Sequence, residues 1–186
     1  MDQDQALAIL KSGRNTFLTG SAGTGKTYVL NQYINYLKAR RIPVSITAST
    51  GIAATHLEGT TIHAWSGIGI KDSLSPRQLR DLKTKKYLKK HMEKTKVLII
   101  DEISMLHARQ LDLVNQVIRS FRENEEPFGG LQLVLCGDFF QLPPIGDSTE
   151  SSRDKFSFMS GSWLEAKLTI CYLTEQFRPV SYTHLR

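Results

Sequence analysis

The chain has 186 residues, 40% of them hydrophobic, and a net charge of +6. That length suits one α/β domain with a sizeable core, and no apolar run approaches the roughly 20 residues of a membrane span. The polar start Met1-Asp2-Gln3-Asp4-Gln5 does not resemble a secretory signal. The two cysteines, Cys136 and Cys171, sit in apolar runs and read as small buried hydrophobes, with no zinc spacing. The expected compartment is the cytoplasm.

In chain order, residues 2–12 predict a helix with Leu7 and Leu10 inward, stopped by Gly13. Residues 15–19 predict a buried strand. Next comes Gly20-Ser21-Ala22-Gly23-Thr24-Gly25-Lys26-Thr27, which fits the phosphate-binding loop G-x-x-x-x-G-K-[ST]. The helix after it carries Val29, Leu30, Ile34 and Leu37 on one face. Glycines there let several backbone N–H groups converge on one polyphosphate. Lys26 reaches the β and γ phosphates, and the Thr27 hydroxyl holds Mg²⁺. The implied ligand is ATP with Mg²⁺.

Residues 44–47 predict strand two, 52–57 a short helix, and 60–65 a semi-extended segment. Residues 66–95 are punctuated by Gly67, Gly69 and Pro76, with one basic helix or a pair of them over 76–90. Between residues 71 and 96 there are ten Lys/Arg against three acids, so the remainder of the chain is close to neutral. Such a block favours a phosphate-rich partner, and a solvated helix face explains it equally well.

Val97-Leu98-Ile99-Ile100 predicts a buried strand ending in Asp101-Glu102, the Walker B pattern. Asp101 belongs in the Mg²⁺ shell, and Glu102 is placed to deprotonate the attacking water. A helix follows over 109–123, a turn at Pro127-Phe128-Gly129-Gly130, and strand four over 131–136. Gln141, beyond that strand, can hydrogen-bond the γ-phosphate or the water. A short helix over 159–166 and a strand over 168–173 complete the pattern. Strands alternate with helices, so the fold class is α/β, a mostly parallel sheet with helices on both faces. The informative residues fall at strand carboxyl ends, where such sheets bind ligands.

Together, Gly20–Thr27, Thr47-Ala48-Ser49-Thr50-Gly51-Ile52-Ala53-Ala54, Asp101-Glu102-Ile103-Ser104-Met105 and Gly137-Asp138-Phe139-Phe140-Gln141-Leu142-Pro143-Pro144 resemble motifs I, Ia, II and III of Pif1-family DNA helicases. Residues 127–133 resemble that family's signature region, and Leu173-Thr174-Glu175-Gln176-Phe177-Arg178 its motif IV. The resemblance implies a RecA-like P-loop domain over 1–178 and 5′-to-3′ movement on single-stranded DNA with unwinding of forked duplex DNA. It implies Gln3 as the adenine reader, with Gln5 as the alternative, and Arg178 at the γ-phosphate. It implies DNA contacts by Ser49, Thr50, Gly51, Thr61 and His63. Trp65 reads as core rather than as a base platform.

The resemblance also implies a second RecA-like domain, a possible small wedge within 66–95, and action as a monomer. Residues 179–186 depart from the family, where Gln usually follows the arginine; a truncated or non-native tail, with weak activity on its own, is the expectation. Two other classes stay open on the residues alone. A protein-remodelling P-loop ATPase has no need of segments 47–54 and 137–144. A catalytically weak nucleic-acid-binding fragment would show no turnover.

Overall fold

The fold was analysed in a computed structural model, which describes residues 1–146, 149, 151 and 153–176. Among these, six strands form one parallel sheet of order β3-β2-β4-β5-β1-β6. They are β1 (Thr16–Gly20), β2 (Val44–Ala48), β3 (Thr60–Thr61), β4 (Val97–Asp101), β5 (Gln132–Cys136) and β6 (Thr169–Leu173). No helix of the described residues is long and apolar enough to cross a membrane.

Two apolar layers cover the sheet. On one face α1 (Gln3–Lys11) and α2 (Lys26–Ala39) pack Leu10, Val29, Leu30, Tyr33 and Leu37 against Leu18, Ile99 and Val134. On the other lie α4 (Ile62–Ser66), α5 (Pro76–Lys83), α6 (Lys86–Lys94) and α7 (Ala108–Arg122), over Leu98, Ile100, Leu133 and Leu135. Alternate residues of β4 and β5 feed opposite layers, which is why 97–100 and 133–136 are unbroken apolar runs. Both cysteines are buried and free.

The basic segment is a pair of helices. Ser75 and Gln78 form a capping box with Pro76 in the first turn, so α5 starts sharply. Leu82, Leu88 and Met92 anchor the pair in the same core as Ile100 and Leu135. Residues 60–65 are not semi-extended. Only Thr60–Thr61 pairs, with β2; Thr61 then caps α4 by accepting from the Ala64 N–H, and Ile62 and Trp65 turn into the core. Two short α-helices remain among the described residues: α3 (Gly51–His56), which begins within the segment 47–54, and α8 (Gly161–Glu165), preceded by a 3-10 turn, Ser157–Met159, and followed by β6.

Candidate functional site

The phosphate loop joins β1 to α2, and its backbone is shaped for an anion. Gly23 and Gly25 have φ of 86° and 85°. Gly20 approaches so closely that an added Cβ would stand 2.8 Å from the Leu173 carbonyl oxygen and 2.8 Å from Thr24 Oγ1. Gly25 caps α2 without any side-chain acceptor, so the first-turn N–H groups keep their capacity for a phosphate. Lys26 Nζ donates to the carbonyls of Gly20 at 2.7 Å and Ser21 at 3.1 Å. Thr24 is buried and bonds back to Ser21, bracing the turn. Ser21, Ala22 and Thr27 are exposed.

Gln3 lies against this loop. Its Nε2 donates to the Thr24 carbonyl at 3.1 Å and fills the space a Cβ on Gly25 would need. Its Oε1 stays available to a ligand's amine. Gln5 does not share this place: its side chain accepts the Asp2 N–H in a capping box with Asp2.

Asp101 and Glu102 stand at the end of β4. Burial pushes the Asp101 carboxyl up, offset by the Glu102 N–H at 2.8 Å and by a hydrogen bond from Cys136. Cys136 ends the neighbouring strand, one register step past the Ile100–Leu135 pair. Its own thiol is pushed well up by complete burial and the nearby Asp101 charge. Burial raises Glu102 too, with the charges of Asp101 and Asp138 adding to it and Lys26 opposing. Glu102 takes a left-handed backbone, φ 52°, a conformation that costs a bulky residue on the order of 1 kcal/mol.

These crowded carboxylates fit a cation. Among the described residues no three His, Cys, Asp or Glu side chains converge to hold a metal. A P-loop Mg²⁺ does not need such a cage, since water and phosphate oxygens complete its shell. Thr27 and Asp101 are the protein groups that could contribute.

Raised folded-state pKa values also set the sign of a stability effect. Such groups hold their proton more tightly folded than unfolded, so stability is present at low pH and lost as pH rises through the elevated value. Ionised Asp101 therefore costs stability at neutral pH. Asp101→Asn keeps the acceptor for the Glu102 N–H and removes the charge. It is expected to raise stability by about 1 kcal/mol, or roughly 3 °C in Tm for a chain of this size. Thermal unfolding at pH 7 checks this, and a lower Tm would show the charge to be stabilising.

Motif Ia is wired to motif II. Ser49 N–H donates to the Asp101 carbonyl at 3.0 Å, and Ser49 Oγ donates to the Glu102 carbonyl at 2.7 Å. Ser49 is buried, and its hydroxyl proton is committed to that bond. Thr50 and Thr61 accept backbone N–H groups as helix caps, which leaves each O–H free to donate outward. Gly51 is exposed at the start of α3. His63 Nε2 lies 3.2 Å from Gln110 Oε1. Trp65 is buried and stacks on His91, with ring centroids 5.1 Å apart.

Two concavities tie these pieces together. One, of about 390 Å³, is bordered by Thr50, Ile52, His56, Glu102, Ser104 and Gln141. Gln141 reaches it while its Nε2 donates to Asp138 Oδ2 at 3.4 Å. The other, of about 350 Å³, is bordered by Ser49, Thr50, His107, Arg109 and Gln110. Sequence reasoning missed Cys136, Arg109 and Gln110 as neighbours of these sites. The only signal for Cys136 was its place at the end of a strand flanking Walker B. Arg178 lies outside the described residues.

Known proteins share this arrangement. The model of the family described as PIF1-like helicase matches residues 2–184. The ATP-dependent DNA helicase Pif1 of Psychrobacter sp. is 65% identical over 181 residues, covering 97% of this chain and 28% of that protein. The crystal structure of Pif1 helicase from Candida albicans superposes with a TM-score of 0.87 at 39% identity, covering 94% of this chain and 39% of that one. Pif1 helicase from Bacteroides in complex with ADP-AlF3 and ssDNA gives a TM-score of 0.83 at 31% identity, over 97% of this chain and 43% of that one. The chain thus spans well under half of each of these relatives. With the P-loop, Walker B and the segments at 47–54 and 137–144 all at the carboxyl ends of one parallel sheet, this chain belongs to the PIF1-like helicase family.

Proposed function

We propose that this chain is the first RecA-like motor domain of an ATP-driven helicase that moves 5′ to 3′ on single-stranded DNA and opens forked duplexes. The observation that carries the reading is the cavity shared by Glu102, Gln141 and Thr50. It brings the hydrolytic carboxylate, the motif III amide and a DNA-facing hydroxyl to one space. The Ser49 bonds to residues 101 and 102 make the same link through the backbone. A relative that binds ADP-AlF3 and ssDNA together supports it.

ATP places its phosphates in the loop of Gly20 to Thr27 and its adenine against Gln3, whose Oε1 accepts from the exocyclic amine. Lys26 exchanges its two loop carbonyls for phosphate oxygens. Thr27 and Asp101 would hold Mg²⁺, which would neutralise phosphate charge. Glu102 takes the proton of the attacking water, and Arg178 is assigned to the γ-phosphate. Gln141, tethered to Asp138, reports the phosphate's presence to the wall formed by Thr50. Thr50, Thr61, Gly51 and His63 meet the phosphates and sugars of the strand, giving nearly sequence-blind binding.

Lys26→Ala tests the site. Charge-assisted contacts of this type contribute roughly 1.5–3 kcal/mol, so affinity for MgATP and MgADP is expected to fall about tenfold or more. Calorimetry measures it. Equal affinities in the two proteins would remove Lys26 and the loop from the proposal.

A further inference from the structure

Helix α6 buries Leu88 and Met92 in the core and leaves a row of lysines exposed on its outer side. Lys86, Lys90 and Lys94 recur at every fourth residue, and with Lys89 and Glu93 they border one shallow exposed surface. At 1.5 Å per residue the row is about 12 Å long, the axial distance over which one strand of a duplex presents three or four phosphates. Lys89 is paired with Glu93 at 3.8 Å, and Lys83 with Glu123 at 3.9 Å. Among the described residues Lys86, Lys90 and Lys94 have no carboxylate within ion-pair distance.

Two features set this row apart from an ordinary solvated face. The first is its direction. Lys85 caps α6 with no side-chain cap bond and Lys86 follows it, so positive charge crowds the positive end of the helix dipole, while Lys94 lies in the last turn, where the dipole favours it. At the amino end that placement opposes the dipole, and local rules broken without a folding gain point to function. The second is rigidity. Arg122 Nη1 donates to the carbonyls of Met92 (2.8 Å), Glu93 (3.3 Å) and Thr95 (3.1 Å), fastening the carboxyl end of α6 to α7. His91 Nε2 bonds the Trp65 carbonyl at 2.7 Å, fastening its middle to α4. The inward side of α6 is thus joined to α4, the helix that Thr61 caps and that carries His63.

We propose that the exposed face of α6 docks the phosphate backbone of duplex nucleic acid, as a contact separate from the single-strand residues at 49–63. The chemistry favours duplex over single strand. The surface offers ammonium groups and no ring among them; the exposed ring nearby, Tyr87, tilts toward His91 at 6.4 Å. A single strand is held by stacking as well as charge, whereas a duplex turns its bases inward and presents phosphate alone. The proposal extends the DNA reading above from strand to duplex and rests on it.

The test is fluorescence anisotropy of the 186-residue chain with a labelled blunt DNA duplex and, separately, with labelled oligo-dT, each over a range of KCl. The variants are K86A/K90A/K94A and K86E/K90E/K94E, with Tm as the folding control. Duplex affinity is expected to fall about tenfold in the alanine variant and further in the glutamate one. The slope of log affinity against log salt should shrink by about three, one per lost phosphate contact. Affinity for oligo-dT should change by less than about twofold. Unchanged duplex binding, or an equal loss on oligo-dT, overturns the separate duplex contact while leaving the motor reading standing. Wild-type protein that binds neither probe overturns both.

Discussion

Glu102→Gln is expected to bind MgATP as wild type does and to lose hydrolysis by 10²–10⁴-fold, the usual contribution of a positioned general base. The amide matches the carboxylate in shape but accepts no proton. Burial, then the charges of Asp101 and Asp138, raise the Glu102 pKa from its ordinary value, with Lys26 pulling the other way. A base must be ionised to act, so turnover should climb as pH rises through that elevated value and then level off. The residual rate of Glu102→Gln should be flat across the same window. Both are read from steady-state phosphate release with and without oligo-dT, in a polypeptide extended to the length of the relatives. Turnover within a few-fold of wild type would exclude Glu102 as the base. A wild-type profile with no acid limb would exclude its titration as rate-controlling.

The site was legible wherever backbone geometry dictates residue type. The phosphate loop needs its glycines, and Asp101 ends a strand too apolar to be anything but buried. Both fell where the alternation of strands and helices placed them. What escaped were contacts between residues distant in sequence. Ser49 looked like a phosphate donor, yet its hydroxyl is committed to the carbonyl of Glu102, 53 residues away. No local pattern carries that pairing. Segment 60–65 misled for a different reason. Two threonines, an isoleucine and a tryptophan favour strand by propensity, and a five-residue helix is too short to show a 3.6 period. The place of Gln5 was open to a closer reading: Asp2 followed by Gln5 at the third place is itself a capping-box spacing, which commits the Gln5 side chain, while Gln3 bonds the phosphate loop at the Thr24 carbonyl.

The turn at Pro127–Gly130 gives the largest expected loss of stability. Its sequence reads as a turn, and within it Phe128 is wholly buried in the layer that carries Ile118, Phe121 and Leu133. Phe128 holds φ at 51°, and its N–H donates to Asn115 Oδ1 at 2.8 Å inside the protein. Asn115 Nδ2 donates in turn to Ser162 Oγ, which donates to Asp112 Oδ1. Arg122 Nε binds the Gly129 carbonyl at 2.8 Å, so the same arginine that fastens α6 also fastens this turn. The turn thus ties α7 to the start of β5, the strand that delivers Cys136 beside Asp101 and leads into Asp138 and Gln141. Phe128→Ala removes a buried ring while leaving the left-handed backbone in place, and is expected to cost about 3–5 kcal/mol. At roughly 2–4 °C per kcal/mol for a chain of this size, Tm should drop by about 6–20 °C. Asn115→Ala strands the buried Phe128 N–H and should cost about 1–3 kcal/mol. Phe128→Ala keeps the N–H that Asn115 accepts, so the variants remove different interactions; as direct neighbours they should still couple, and the double variant should depart from the simple sum. Calorimetric or circular-dichroism melts of the two single variants and the double variant decide it. A Phe128→Ala protein with wild-type Tm and impaired DNA-stimulated hydrolysis would recast the turn as part of the motor's working surface rather than the staple that holds β5 in place.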